Sequence, residues 1–267
     1  MTDKVVNIVV FGAAGRMGKL IMDCASSDAR FKVVGAVEDA KHPKIGKKIP
    51  CGEGEIESSA KLPKDAPENA VGVCFTNKHG LNESVKQAVA AKMPLVIGST
   101  GLSEEHETFI YMASNEIPIL YAANFSVGVN VLLHLVKRAS EMLKGFEIEI
   151  VETHHDKKID APSGTAVALG KEAAKARGFE LDEIAVYDRK NLSKARTADE
   201  IGFSALRGGD VVGEHDVIFF GQNERVILGH RAHDRAMFAR GALDAAYWLA
   251  DKRPGLYSMK NVLGLEE

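Results

Sequence analysis

Through residue 125 the chain alternates between two hydrophobic periods. Residues 5–11 form a short, β-branched apolar run, the pattern of a strand buried on both faces. A glycine-rich turn follows, then helical spacing over Arg16–Ser26. Further strands are expected at 31–37, 71–75, 95–97 and 117–121, with a helix over 81–92. Ser103 reads as a helix N-cap, with Glu104 and Glu105 in the first turn where the helix dipole favours them. Alternating strands and helices of this kind predict a parallel, doubly wound sheet.

The rhythm then changes. Residues 127–143 carry the spacing of a long helix. Residues 146–153 read Phe-Glu-Ile-Glu-Ile-Val-Glu-Thr, a strand with one polar face. A helix is expected over 163–177. Strands at 201–207, 211–212, 215–220 and 225–231 are separated by Gly-Gly-Asp and Gln-Asn-Glu turns, a pattern that predicts antiparallel pairing. A helix over 235–250 closes the pattern. The polar segment 41–69 is expected to be the least ordered. A parallel α/β domain followed by an α+β domain with a mixed or antiparallel sheet is expected, consistent with 267 residues at about 150 per domain.

Composition narrows the class. Hydrophobic residues make up 45% and charged residues 27%, ordinary values for a soluble globular protein. A net charge of −3 offers no basic field for nucleic acid. No apolar run approaches the ~20 residues of a membrane helix. Met1-Thr2-Asp3-Lys4 runs directly into a strand-like segment, so no secretory signal is expected. Cys24, Cys51 and Cys74 are far apart and read as reduced thiols, neither a disulfide framework nor a zinc site.

The first turn is Gly12-Ala13-Ala14-Gly15-Arg16-Met17-Gly18, spaced G-x-x-G-x-x-G. Glycines let the backbone approach a pyrophosphate, and the following helix start offers N–H groups and a positive dipole. A strand before it and a helix after it favour a dinucleotide site over a merely structural glycine turn, so the first domain is expected to be Rossmann-like. Glu38 ends the second strand, where a carboxylate can accept from the ribose hydroxyls. Asp39 would repel a 2′-phosphate, which favours NADH over NADPH, although Lys41 and Lys44 are nearby. Gly98-Ser99-Thr100-Gly101 and Ala122-Ala123-Asn124-Phe125-Ser126 follow later strands, at the carboxyl edge where ligands of open α/β sheets lie.

The densest chemistry lies between Glu152 and Thr165. His154 and His155 can exchange a proton near neutral pH, and Lys158 supplies a positive charge. Ser163 is expected to cap a helix whose start, with the Thr165 hydroxyl, makes an anion site. These features describe a pocket for a small carboxylate beside a proton donor. Consecutive strand side chains point to opposite faces, so only one of the two histidines is expected to face the pocket. The spacing of His154, His155 and Asp156 matches no tetrahedral metal motif, and no metal is expected. The other histidines are expected in surface or structural roles, Arg207–Asp210 in turn chemistry, and Trp248 in packing of the final helix.

Taken with Gly202-Phe203 and Gly213-Glu214-His215, these motifs resemble the 4-hydroxy-tetrahydrodipicolinate reductase family, also called dihydrodipicolinate reductase, of lysine and diaminopimelate synthesis. The resemblance runs nearly end to end. It implies NAD(P)H-dependent reduction of a small cyclic dicarboxylate at C4, with loss of the 4-hydroxy group as water. It implies His154 as general acid, Lys158 as the second catalytic residue, and His155, Gly164 and Thr165 as carboxylate ligands. Gly12, Ala13, Ala14, Gly15, Arg16, Met17, Glu38, Gly98, Ser99, Thr100, Ala122, Ala123, Asn124 and Phe125 match its cofactor-contacting positions. It further implies a homotetramer assembled through the second domain, and the reduced cysteines and lack of a secretory signal lead us to expect a cytoplasmic location. That domain is expected over 127–235, and the nucleotide domain over 1–126 and 236–267. Asp39 stands where many members carry a basic residue, and Lys78 near where many carry an arginine. Another amino-acid-pathway dehydrogenase would share the first domain but not the His-His-x-x-Lys segment. A non-catalytic NAD-sensing regulator would need a partner-binding module, and no basic recognition helix is visible.

Overall fold

A computed structural model describes residues 4–63, 66–190 and 192–265. The first three residues, part of the reading of the N-terminus, lie outside them. The chain divides into two compact units, one running to Ser126 and resuming at Ala236, the other Val127–Arg235.

The first unit runs β1 (Val6–Phe11), α1 (Arg16–Ser26), β2 (Phe31–Val37), β3 (Lys48–Cys51), β4 (Gly54–Ser59), β5 (Ala70–Cys74), α2 (Lys78–Ala90), β6 (Leu95–Ile97), α3 (Glu104–Ser114) and β7 (Pro118–Tyr121). The second contributes α4 (Val127–Met142), β8 (Glu147–His154), α5 (Gly164–Arg177), α6 (Leu181–Ile184), β9 (Ala185–Val186), β10 (Ile201–Arg207), β11 (Gly213–Gly221) and β12 (Glu224–Ala232). The chain then returns to the first unit with α7 (Ala236–Leu249), β13 (Gly255–Tyr257) and α8 (Met259–Leu263).

The first sheet is ordered β13-β7-β6-β5-β1-β2-β4-β3 and is parallel except where β3 meets β4. Its β1 shows why a strand with both faces apolar was legible. Ile8 and Val10 face a cluster with Ile21, Met22, Ala242, Ala246 and Leu249 of α1 and α7. Val9 and Phe11 face Leu81, Val85, Ala88 and Ile110 of α2 and α3. Helix α7 approaches so closely that a Cβ on Gly241 would stand 1.8 Å from the Phe125 carbonyl oxygen. Trp248 packs edge-on against Tyr257, ring centroids 5.2 Å apart.

Two readings of this unit need correction. Within the polar segment, Lys48–Cys51 and Gly54–Ser59 form a hairpin that extends the sheet through β2. At an exposed edge, charged and proline positions hide the two-residue alternation while the backbone still pairs. Helix α2 starts at Lys78, three residues earlier than the apolar spacing indicates. The Asn77 side chain accepts the His79 and Gly80 backbone N–H groups and sets that start.

The second unit holds a five-stranded sheet ordered β12-β11-β8-β10-β9. Helices α4 and α5 cover one face, where Leu132, Val136, Ala166, Leu169 and Ala173 meet Ile148, Ile150, Phe203, Val217 and Phe219. The sheet is mixed, within the expected fold class, while the antiparallel succession expected of the strands from 201 onward is only half present. Strands β11 and β12 form an antiparallel hairpin, but β8 lies between β10 and β11, and β10 runs parallel to it. The glycine-rich 208–212 segment is therefore no hairpin turn, and Val211 and Val212 are not a strand. It crosses the end of β8 and bonds to it there. Gly208 N–H donates to the His154 carbonyl, while Val211 and Gly209 carbonyls accept from His155 and Asp156 N–H. Turn composition shows where a chain bends, but not whether a third strand fills the space between.

Candidate functional site

Strands β1, β2, β5, β6 and β7 are parallel, so Gly12, Glu38, Thr76, Gly98 and Ala122 all follow at one edge of the sheet. Strand β1 has β2 on one side and β5 on the other, the arrangement that opens a crevice for ligands. The glycine turn is closed by Gly15 N–H donating to the Gly12 carbonyl at 3.0 Å. Gly12 has φ +78°, and a Cβ on Gly18 would come within 2.2 Å of the Gly12 oxygen. Gly15 caps α1 without any side-chain hydrogen bond. That helix start is lined by backbone alone, as a pyrophosphate site requires.

Glu38 is more than a solvated strand end. Its carboxylate accepts the Ala14 N–H at 2.9 Å and the Asp39 N–H at 3.1 Å, which aims it at the glycine turn with acceptor capacity to spare. Asp39 is exposed and accepts the Lys41 N–H at 2.8 Å. A cavity of about 130 Å³ opens beside them, lined by Glu38, Asp39, Thr76, His79, Gly80 and Glu83 among others. Lys78 is exposed at the first position of α2. These features fit a dinucleotide: a glycine cradle for phosphates, a fixed carboxylate for a ribose and a cavity beside it.

The remaining candidates of this edge divide by what they expose. Arg16, Thr100 and Ala123 are exposed, while Met17, Gly98, Ala122 and Asn124 are half-buried. Ser99 is buried and donates its hydroxyl to the Thr76 carbonyl at 2.7 Å. Phe125 is 2% exposed and its ring lies 5.5 Å from that of Phe75. Any contact Phe125 makes with a ligand would come from its backbone.

In the second unit the site grows from the inner face of β8. Alternation buries Ile148 and Ile150, and the same face continues with Glu152 and His154. Glu152 is 1% exposed, and both of its oxygens are filled. One accepts Ser163 N–H at 3.0 Å and Arg207 Nη2 at 2.7 Å. The other accepts Arg207 Nη1 at 2.9 Å and His154 Nδ1 at 2.6 Å. Burial alone would raise the pKa of this carboxyl, but the bonds from Arg207, His154 and Ser163 together hold it below its ordinary value.

Arg207 lies opposite His154 across the β10–β8 pair, and His215 opposite Glu152 across the β11–β8 pair. His215 is buried, its ring edge-on to His154 with centroids 5.1 Å apart and its Nε2 2.9 Å from the Ser163 hydroxyl. Burial, reinforced by His154, pushes its pKa down to about 4. Its Nδ1 has no partner among the described residues. Ser163 caps α5, accepting Ala166 N–H at 3.2 Å, and a Cβ on Gly164 would meet nothing within 4 Å. The start of α5 is thus open to approach. Lys158 donates to both oxygens of Asp160, at 2.8 and 2.9 Å, so its charge is shared with a partner.

His154 is buried and His155 half-buried at the strand end, with Lys158, Gly164 and Thr165 on the loop and helix start that follow. Two residues depart from expectation. Arg207 is not turn chemistry but the counter-ion of Glu152, and His215 is packed against His154 with an unsatisfied nitrogen. Glu152 had a readable signal, since it sits two and four residues from Ile150 and Ile148 on one strand face. Arg207 had none, and His215 was marked only by the Gly213-Glu214-His215 motif, because sheet pairing alone brings both to β8. Among the described residues, no group of three or more His, Cys, Asp or Glu side chains could hold a metal ion. No helix of the described residues is long and apolar enough to cross a membrane.

Comparison with known proteins bears on both units. A family model described as dihydrodipicolinate reductase, N-terminus, matches residues 6–125, and one described as dihydrodipicolinate reductase, C-terminus, matches 128–263. The chain is 43% identical over 262 residues to the 4-hydroxy-tetrahydrodipicolinate reductase of Pseudoalteromonas translucida, covering 97% of this chain and 98% of that one. It is 46% identical over 261 residues to that of Rubrobacter xylanophilus, with the same coverage. In fold it is similar to a dipicolinate-bound dihydrodipicolinate reductase from Paenisporosarcina sp. TG-14, with a TM-score of 0.75 at 20% identity over 96% of this chain and 99% of that one. Two family models spanning nearly the whole length, and relatives this similar, place the chain in the dihydrodipicolinate reductase family of NAD(P)H-dependent oxidoreductases.

Proposed function

We propose that this chain reduces 4-hydroxy-tetrahydrodipicolinate to tetrahydrodipicolinate with loss of water, at the expense of NAD(P)H, in lysine and diaminopimelate synthesis. The observation that carries the reading is that one chain of this family holds both a backbone-lined helix start and, on a separate unit, His154, Lys158 and the α5 start. When bound, the reduced nucleotide supplies a hydride. Residues 12–18 and the α1 start hold its pyrophosphate, and Glu38 accepts from a ribose. Gly98, Ser99, Thr100 and the 122–125 segment shape the nicotinamide end. Asp39 opposes a 2′-phosphate, and NADH is the favoured form.

In the second unit the α5 start at Gly164 and Thr165, with His155, takes a substrate carboxylate. Lys158 holds a carboxylate and assists proton transfer. His154 donates the proton that completes the reduction at the ring. The dipicolinate of the Paenisporosarcina protein is itself a small cyclic dicarboxylate, the class this arrangement suits. The same unit is proposed to carry a homotetramer interface, since Leu206 and Ile227 leave apolar side chains exposed on its sheet. Light scattering of the purified chain tests that assembly, and a monomer would remove it.

The reaction is tested by following NADH or NADPH absorbance on adding the freshly generated product of the preceding synthase. Turnover is expected there and not with amino-acid semialdehydes. Turnover with a semialdehyde alone would indicate a different dehydrogenase. Nucleotide binding without turnover on any substrate would indicate a regulator.

A further inference from the structure

We infer that Glu152 is the positioning residue of the proton donor, and that Arg207 ties it to Lys158. The ionised carboxylate fixes His154 with Nδ1 protonated, so that Nε2 is the atom that delivers the proton. This rests on the reading of His154 as general acid.

The bond pattern carries the assignment. An ionised carboxylate can only accept, so the 2.6 Å contact between Glu152 and His154 Nδ1 requires the ring nitrogen to be the donor. Four donors fill the four acceptor positions of Glu152: Ser163 N–H, two Arg207 N–H groups and His154 Nδ1. No position is left for a proton on the carboxyl itself. With Nδ1 committed, the exchangeable proton of the ring belongs to Nε2. That atom faces Gly213, where a side-chain Cβ would stand only 2.9 Å away. The glycine leaves room that any other residue would take. His215, the other ring against His154, is held neutral by burial and adds no second charge.

Burying the Glu152 carboxylate against half-buried Arg207 costs desolvation that apolar packing would avoid, so stability alone is a poor reason for the pair. Arg207 does a second thing. The same Nη2 that bonds Glu152 donates to the Asp160 carbonyl at 2.7 Å, and the Asp160 carboxylate accepts from Lys158. One guanidinium thus links the anchor of His154 to the anchor of Lys158. Glu152 and His215 touch the His154 ring directly, Arg207 shares the Glu152 carboxylate with it, and His230 lies opposite His215 on β12.

The test begins with the unaltered full-length chain, labelled with 15N in its histidine rings. The neutral His154 ring is expected to carry its proton on Nδ1, and a proton on Nε2 instead would overturn the inference. In E152Q the side-chain amide can donate to Nδ1, so the tautomer is expected to reverse. Loss of kcat of at least about 10²-fold should follow, the order seen when a carboxylate that fixes a catalytic histidine is removed, with KM for nucleotide and substrate unchanged. E152D keeps the charge on a shorter stem and should recover part of that loss. Equal losses in E152Q and E152D, or a rise in KM without a fall in kcat, would reduce Glu152 to a structural role. Should E152Q fail to fold, the tautomer of the unaltered chain and the kcat of E152D decide. H154Q separates the two readings. If H154Q is inactive while E152Q turns over normally, only the positioning role fails. If H154Q turns over normally, the general-acid reading itself fails.

Discussion

The glycine turn after β1 and the strand end of β8 present polar groups in opposite ways. At the turn the groups offered to a ligand belong to the backbone, and Gly12, Gly15 and Gly18 serve by having no side chain. At β8 they belong to side chains, and buried Glu152, His154, Ser163 and His215 are held in one network with half-buried Arg207. A backbone site depends on space and is insensitive to pH. A side-chain network depends on charge, so one changed proton or one lost partner is felt by every member. Substitutions that add volume should injure the first site, and those that alter charge should injure the second.

The largest effect is expected where the network meets the chemistry. H154Q should lower kcat by about 10²–10⁴-fold in the reduced-nucleotide assay while leaving nucleotide binding intact. Binding of NADH, followed by fluorescence, checks that the first unit is untouched.

Acid should separate the units next. The His215 pKa of about 4 lies below the 6.5 of an unfolded chain. Between those values the unfolded state takes up a proton that the folded state refuses, so stability falls as pH drops from 6.5 toward 4. The cost from this residue is about 3 kcal/mol by pH 4, with no contribution above pH 6.5. Glu152, whose pKa is depressed, loses its contribution only at still lower pH. Denaturant unfolding of the wild type and H215Q at several pH values should show the variant losing less over this window. Equal slopes would contradict the buried, neutral state of His215.

A volume change inside the second site blurs the contrast in an informative way. G213A places a methyl 2.9 Å from His154 Nε2, and the ring cannot swing aside without breaking its bond to Glu152. A fall in kcat of up to about 10²-fold is expected, since a misplacement of this size is enough. In the first unit, G18A drives a methyl to 2.2 Å from the Gly12 oxygen. It should raise the nucleotide KM and cost about 1–3 kcal/mol of stability, measured by thermal unfolding with and without NADH. The smallest effect concerns cofactor choice. Wild-type kcat/KM should favour NADH, and D39R should shift the ratio toward NADPH, whereas a wild-type preference for NADPH would sink the role given to Asp39.

The same contrast explains what could be read from sequence. Strands β2 and β6 and helix α1 lie where the hydrophobic periods put them, because both faces of a doubly wound sheet are apolar and nothing competes with that signal. The β3–β4 hairpin was hidden, since an edge pair needs little apolar pattern. In the second unit the Gly-Gly-Asp segment marked a bend correctly, yet the strand lying between β10 and β11 is β8, from more than fifty residues earlier.

The sequence by itself determined the two periods, the glycine turn with its carboxylate at Glu38, and the run from Glu152 to Thr165, because each is local: strand, turn and helix start are set by neighbours a few residues apart. Tertiary structure alone decided that Arg207 is the counter-ion of Glu152, that the same guanidinium reaches the Asp160 carbonyl, and that His215 lies against His154. Those two partners arrive on β10 and β11, and the register that delivers them is fixed by apolar packing beneath the sheet, not by anything in the polar residues themselves.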